Sequence, residues 1–339
     1  MTVLERYGIA GDSASSLAQS VEAGLRQGRL QAGQALPTVR ALATALGLSP
    51  ATVAAAYAAL RTRGLVSTGG RRGTRLAPRP PVALPSPSPE PPAHLVNLAD
   101  GNPDPALLPD LEACLRRLKR GRSLYGEPQK HPGLARLAAR ELEADGIPAG
   151  HLAVVSGAMD GVERVLLAHL RPGDRVAVED PGYPAVLDLV AALGLLPEPV
   201  AVDDAGARPE SLARALRQGA RAVVLTPRAQ NPAGGAWDAA RLKALRQALA
   251  AHPDALVIED DHAGPVAGTA ALTLAPRGRW AVVRSVSKSL GPDLRLALLA
   301  GDAETVARVE GRQALGCGWV SHLLQAAVAD LLGLSLIHI

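Results

Sequence analysis

Phenylalanine is absent from the 339 residues, aromatic residues of any kind make up 2%, and there are two cysteines, Cys114 and Cys317. Without aromatic bulk, the cores must be built from leucine, valine and alanine within a hydrophobic fraction of 47%. Two cysteines about two hundred residues apart in sequence form neither a disulfide framework nor a thiolate metal site, and they fit a reducing cytoplasm. No run approaches the roughly 20 apolar residues that a membrane span needs. The amino terminus also lacks the charged-then-apolar pattern of a secretion signal. The expectation is therefore a soluble, cytoplasmic protein with no metal and no membrane partner.

Lysine is scarce too. Only Lys119, Lys130, Lys243 and Lys288 occur among 36 basic residues. The formal net charge is +4 and the excess is local: residues 1 to 76 hold nine arginines against Glu5, Asp12 and Glu22. Such a patch suits a polyanion such as DNA.

One compositional break divides the chain. From Ala77 to Ala93 eight of seventeen residues are proline, with no usable hydrophobic period. A segment of this kind favours polyproline II, about 3.1 Å per residue, and acts as a semi-rigid spacer. The expected organisation is a first domain over 1–76, a linker over 77–95, and a larger domain over 96–339.

In the first domain, Leu17, Val21 and Leu25, then Val39, Leu42, Ala43 and Leu46, then Val53, Tyr57 and Leu60 fall at helical spacing. Thr38 and Ser49 are N-cap residues, Pro50 suits a first helical position, and Gly47 and Gly64 are stops. Leu65 to Thr68 and Thr74 to Leu76 read as strands around a glycine-rich hairpin. Two helices joined at Gly47-Leu48 and followed by a basic wing are the arrangement that lays a second helix in the major groove. Its outward face, Ser49, Ala51, Thr52 and Ala55, is small. Arg40, Arg71 and Arg72 suit phosphates or the minor groove. A small helical module with a solvated basic face is the plainer alternative.

The large domain alternates apolar runs with amphipathic stretches: Ala153 to Val155, Val176 to Val178, Ala222 to Leu225, Leu256 to Ile258, Ala281 to Val283 and Leu296 to Ala300. This is an α/β pattern with a mostly parallel sheet covered on both faces, whose ligands bind beyond the carboxyl ends of strands. The residues at those ends are chemically pointed. Lys288 follows a strand in SVSKSLGPDLRL; a lone lysine is usually a surface residue, but a Schiff-base lysine needs phosphate-holding neighbours, and Ser285, Ser287 and Arg295 are of that type. Ser156-Gly157-Ala158 opens a helix whose N–H groups suit an anion, or is simply a small-residue turn. Asp260 ends VIED, where a carboxylate would keep a pyridine nitrogen protonated; acids also end strands for solvation alone.

Two resemblances join these readings. GRLQAGQALPTVRALATALGLSPATVAAAYAALRTRGLVSTGGRRGTRL resembles the GntR-type winged helix over nearly its whole length, which implies DNA contacts at Arg40, Ser49, Thr52 and Gly73. Pro50 and Ala51 stand where many relatives carry Arg or Thr. From about Asn97, the order SGA, DPGYP, NPAG, ED and SxSKxxxxxxR resembles the fold-type I aminotransferases. That resemblance implies pyridoxal 5'-phosphate bound to Lys288, with Asp260 at the pyridine nitrogen, Asn231 at the ring hydroxyl and Tyr183 stacked on the ring. Gly157, Ala158, Ser285, Ser287 and Arg295 would surround the phosphate. Tyr125 would reach a neighbouring subunit's phosphate, which implies a homodimer. His262 stands where relatives of the regulator group carry Tyr, and is either a ring-hydroxyl partner or a solvent-facing loop residue. Relatives continue past Ile339 into a small domain with an arginine for a substrate carboxylate, so the chain is expected to be truncated there.

The fusion is the signature of MocR-type regulators. It implies a transcription regulator that binds a double-stranded operator and senses pyridoxal phosphate or an amino compound, with RSVSK and EDDH suggesting vitamin B6 supply. The rival reading is an aminotransferase with an appended DNA-binding domain.

Overall fold

Local capping fixes the ends of the first helices. The computed structural model describes residues 3–62, 64–68, 73–77, 92, 94–95, 100–118 and 123–334. Its first unit contains α1 (Val3–Tyr7), α2 (Ala14–Arg26), α3 (Val39–Leu46), α4 (Pro50–Thr62), β1 (Val66–Thr68) and β2 (Thr74–Leu76). Ser13 and Ser16 form a reciprocal capping box at α2. The Thr38 hydroxyl accepts from the Ala41 N–H at 3.2 Å, and Gly47 ends α3 with φ 67°. Ser49 caps α4 by accepting from the Thr52 N–H at 3.1 Å, with Pro50 in the first helical position. The three expected helices and two strands are all present. Arg71, Arg72 and the hairpin tip at 69–72 lie outside the described residues, as does most of the linker expected over 77–95.

Leu17, Val21, Leu42, Val53, Tyr57, Leu60 and Leu76 close one small core, and Tyr57 donates its hydroxyl to the Pro37 carbonyl at 2.9 Å. β1 and β2 pair antiparallel, and a bridge from Ala35 to Arg75 adds a third extended segment.

The second unit contains α5 (Leu111–Arg117), α6 (Pro132–Ala144), β3 (Leu152–Val155), α7 (Ala158–His169), β4 (Arg175–Asp180), α8 (Pro184–Ala192), β5 (Leu196–Asp203), β6 (Gly206–Ala207), α9 (Pro209–Arg217), β7 (Ala220–Leu225), α10 (Ala239–Ala250), β8 (Leu256–Asp261), β9 (Trp280–Ser285), β10 (Ala297–Gly301), α11 (Ala303–Ala314) and α12 (His322–Gly333). The sheet runs β3-β10-β9-β8-β7-β4-β5-β6. β4, β7, β8 and β9 are mutually parallel, whereas β10 is antiparallel to both β3 and β9. The short connection from β9 to β10 has no crossover helix, and only an antiparallel neighbour is reachable that way. β5 was not among the expected runs. It carries Pro197 and Pro199 and buries alternate residues near the sheet edge, a pattern that a continuous-run reading passes over.

Both faces are covered. Val223, Leu225 and Val257 face Leu212, Leu216, Leu245 and Leu249 of α9 and α10, while α7 lies across β8, β9 and β10. Gly161 makes that crossing close: a Cβ there would meet Val283 Cγ1 at 2.9 Å and Val155 Cγ2 at 3.1 Å. Because β-branched valines cannot easily turn aside, Gly161→Ala should cost about 1–3 kcal/mol by overpacking, despite a helix-propensity gain of about 1 kcal/mol. Denaturant unfolding checks this, and a stabilised variant would contradict the close approach.

Candidate functional site

The topology gathers the carboxyl ends of β3, β4, β7, β8 and β9, with the start of antiparallel β10, along one rim. Register does the fine alignment: Ser285 pairs with Ala297, and Ala297 with Val155. The serines after β9, Arg295 before β10 and Gly157 after β3 therefore fall on one line. Ser285 and Ser287 hydroxyls are 2.8 Å apart. Gly157 has φ 99° and starts α7 without a side-chain cap; a Cβ there would lie 2.8 Å from Arg295 Nη2. Glycine is thus favoured by the backbone conformation, and its lack of a side chain lets the guanidinium lie close without shifting. The free N–H groups of Ala158 and its neighbours, the helix dipole, the guanidinium and two hydroxyls form a place for a dianion such as phosphate.

Asp260 lies 5% exposed on β8, and its Oδ1 is buried with no hydrogen-bond partner. Burial, then the charges of Asp261 and Glu179, push its carboxyl up to about 7. An orphaned carboxylate oxygen in such a setting fits a protonated ring nitrogen, which would neutralise it and supply the missing hydrogen bond.

Lys288 is half-buried just past β9, and its amine donates to the Gly101 carbonyl. His262 is half-buried; burial first, and the Lys288 charge second, hold it below the ordinary histidine range. His262 is thus close enough to Lys288 to feel its charge. Tyr183, 44% exposed, follows β4, and Asn231 is exposed in the loop after β7. Tyr125 is 92% exposed and packs edge-on against Trp319 with centroids 5.7 Å apart.

Several residues were not anticipated. Asp261, beside Asp260, receives Arg228 through bonds of 2.8 and 2.9 Å and Arg284 through one of 2.7 Å. Asp145 completes the network at 2.7 Å from Arg284. Burial pushes Asp261 up, but the two guanidiniums win and hold it below the usual carboxylate range. Glu179 and Gln230 form a second buried pair. Their only sequence signal was proximity to the DPGYP and NPAG motifs; their pairing depends on strand order. Among the described residues, no group of three or more His, Cys, Asp or Glu is placed to hold a metal ion.

In the winged helix, Arg40 and Ser49 are exposed and Thr52 is partly so; the Ser49 and Thr52 hydroxyls are 2.8 Å apart. Gly73, with φ 72°, is exposed with open space around it. Ala51 and Ala55 are exposed on the same side of α4, opposite buried Val53, Ala56, Tyr57 and Leu60.

Comparison with known proteins agrees with this geometry. Residues 93–338 match the family described as aminotransferase class I and II, and residues 13–76 match bacterial regulatory proteins of the gntR family. The vitamin B6 salvage pathway transcriptional repressor PtsJ of Salmonella typhimurium is 46% identical over 323 residues, covering 94% of this chain and 75% of that protein. The chain belongs to the MocR-type regulators.

The HTH-type pyridoxine biosynthesis transcriptional regulator PdxR of Corynebacterium glutamicum is a further relative of this regulator. It is 32% identical over 268 residues, 73% of this chain and 56% of that one. Among solved structures, Pyrococcus horikoshii kynurenine aminotransferase superposes with a TM-score of 0.64 at 23% identity, covering 71% of this chain and 64% of that chain. An archaeal alanine:glyoxylate aminotransferase gives 0.61 at 22%, covering 69% and 62%. These two share the fold. This MocR-type chain thus spans three quarters of the length of the first relative, and less than two thirds of the second and of both enzymes. The aminotransferase-like family to which its larger part belongs is dependent on pyridoxal phosphate.

The raised carboxyl of Asp260 has a measurable sign. Between about pH 4 and 7 the cofactor-free folded state holds a proton that the unfolded chain has released, so stability falls as pH rises through this window and levels above it. About three pH units correspond to roughly 4 kcal/mol. Asp260→Asn should make this slope shallower in denaturant titrations across pH, while other buried acids still contribute, among them Glu259, pushed by burial up to about 7, and Glu179, also raised by burial. Identical slopes in the two proteins would contradict the placement.

Proposed function

We propose that this chain is a DNA-binding transcription regulator whose aminotransferase-like domain binds pyridoxal phosphate and responds to it, or to an amino compound that reacts with it, in vitamin B6 or amino-acid metabolism. The observation that carries the reading is the buried, unpartnered Asp260 oxygen on the same strand rim as the Lys288 amine. The names of PtsJ and PdxR, both regulators of B6 pathways, support the metabolic setting.

The residue roles follow from chemistry. Bound pyridoxal phosphate supplies an aldehyde that condenses with amines and a ring that withdraws electrons when its nitrogen is protonated. Lys288 is the amine that condenses with it. Asp260 holds the proton on the ring nitrogen. Asn231 donates to the ring hydroxyl, with His262 beside it, and Tyr183 covers the ring face. Gly157, Ala158, Ser285, Ser287 and Arg295 bind the phosphate, and Tyr125 serves the partner's phosphate in a homodimer.

At the other end, α4 enters the major groove. Arg40, Ser49 and Thr52 meet the operator, Gly73 lets the wing approach it, and Arg71 and Arg72 add positive charge for its phosphates. The alanine-rich face of α4 allows close approach, and hydroxyls rather than arginine forks read the bases. The domains are bounded at 1–76 and 96–339, and the protein works in the cytoplasm. An effector shifts DNA binding only through unequal affinity for two conformations of the dimer.

Two experiments test this. Wild-type protein mixed with pyridoxal phosphate should develop a visible absorbance band, and its operator affinity should change; Lys288→Ala should lose both responses. A wild-type protein that stays colourless would sink the reading, and steady conversion of amino acid to keto acid would favour the enzyme instead. Separately, Arg40→Ala should weaken operator binding and lower the salt slope by about one counterion. An unchanged slope would remove Arg40 from the phosphate contacts.

A further inference from the structure

Glu179 and Gln230 are among the buried polar side chains at the strand rim that the roles proposed above leave unused. Glu179, next to the last residue of β4, is 6% exposed, and Gln230, between β7 and α10, is 1% exposed. One Glu179 oxygen accepts from the Thr226 N–H at 3.1 Å, and the other from Gln230 Nε2 at 3.1 Å. The same amide nitrogen lies 3.0 Å from the Pro181 carbonyl and 3.1 Å from the Asn231 carbonyl. Gln230 Oε1 accepts from the Ala233 N–H at 2.9 Å, which fixes the orientation of the amide. The Gln230 backbone N–H donates to the Gly235 carbonyl at 2.9 Å.

One side chain therefore grips main chain on two loops that come from different strands. Pro181 lies two residues before Tyr183. Asn231 and Ala233 belong to the turn that presents the Asn231 side chain. Neither loop has a strand ladder here to set its position, so the amide and the carboxylate behind it take over that task. At 3.1 Å the Glu179 bonds are not short, but in this buried setting water does not compete for them, and breaking either would leave a buried polar group without a partner.

We infer that the Glu179–Gln230 pair is a positioning device for the cofactor ring, setting the Tyr183 loop against Asn231 so that stacking and the ring-hydroxyl hydrogen bond are made together. The inference rests on the pyridoxal phosphate reading proposed above. It gives Gln230 a role through Asn231, not through contact with the ring. A pair that merely stapled the loops would lower stability and leave the optical properties of bound cofactor alone.

The test uses the full chain with pyridoxal phosphate. The visible band is recorded across pH, and cofactor affinity measured, for wild type, Asn231→Ala, Gln230→Met, Glu179→Gln and the double variant Gln230→Met/Asn231→Ala. Gln230→Met keeps side-chain length and removes the donors. Glu179→Gln keeps shape but sets one amide nitrogen against another, and it carries the test should Gln230→Met not fold. The expected result is a midpoint of the pH titration displaced in the same direction by Asn231→Ala, Gln230→Met and Glu179→Gln. Affinity should fall about tenfold in the last two. The double variant should match Asn231→Ala in midpoint, because residues acting through one another are not additive. Unmoved midpoints in Gln230→Met and Glu179→Gln, or full additivity in the double variant, would overturn the inference. A coloured wild type with unmoved variants removes only this positioning role; a colourless wild type removes the cofactor reading as well.

Discussion

The lone oxygen of Asp260 is the constraint around which the large domain is arranged. Three acids, Glu179 near the end of β4 and Asp260 and Asp261 at the end of β8, lie on one rim of the sheet with β7 between the two strands, and the charges of Asp261 and Glu179 are felt by Asp260. Two are satisfied. Asp261 holds two guanidiniums, and Glu179 holds a backbone N–H and the Gln230 amide. The arginines that might have neutralised Asp260 are committed to Asp261 and Asp145, so the fold leaves one buried carboxyl to be completed from outside the chain. Burying such a group costs stability, a cost that proteins carry at binding sites rather than in ordinary cores.

Around that group, the sheet topology converts short motifs into a site. Parallel strands place their carboxyl ends on one rim, and the antiparallel β10 brings Arg295 to the same rim from the opposite chain direction. Gly157 then lets the guanidinium lie against the start of α7, where a Cβ would make it shift. The charge pattern is ordered: acids gather at β8 and β4, while a guanidinium, a helix amino terminus and two hydroxyls gather at β3, β9 and β10. This polarity matches a ligand with a cationic ring and an anionic tail.

The winged helix follows a different logic. Its core is small and aliphatic, its helix ends are fixed by local caps, and its exposed face is almost without bulky side chains. On the reading proposed above, affinity for DNA comes mainly from basic residues such as Arg40, and the small face of α4 supplies fit. A module of this kind can be switched by changing how two copies are presented, without altering its own structure.

Helix starts and stops in the first domain were legible because they depend on neighbours in sequence: Thr38, Ser49, Pro50 and Gly47 act within one turn. The six apolar runs were legible for the same reason, since burial on both faces leaves continuous hydrophobic stretches. The motifs around Lys288, Asp260, Asn231 and Gly157 were legible through their order. β5 was not, because two prolines and an alternating edge pattern hide it. The buried pairs Arg228–Asp261 and Glu179–Gln230 and the half-buried ion pair Arg284–Asp145 join residues 33, 51 and 139 positions apart. The amino-acid order alone thus settled which side chains stand at strand ends and what chemistry they offer. Tertiary structure alone decided which acids are already neutralised and which one is left open, because hydrogen bonds and charge pairing at the rim follow the spatial order of strands, which differs from their order along the chain.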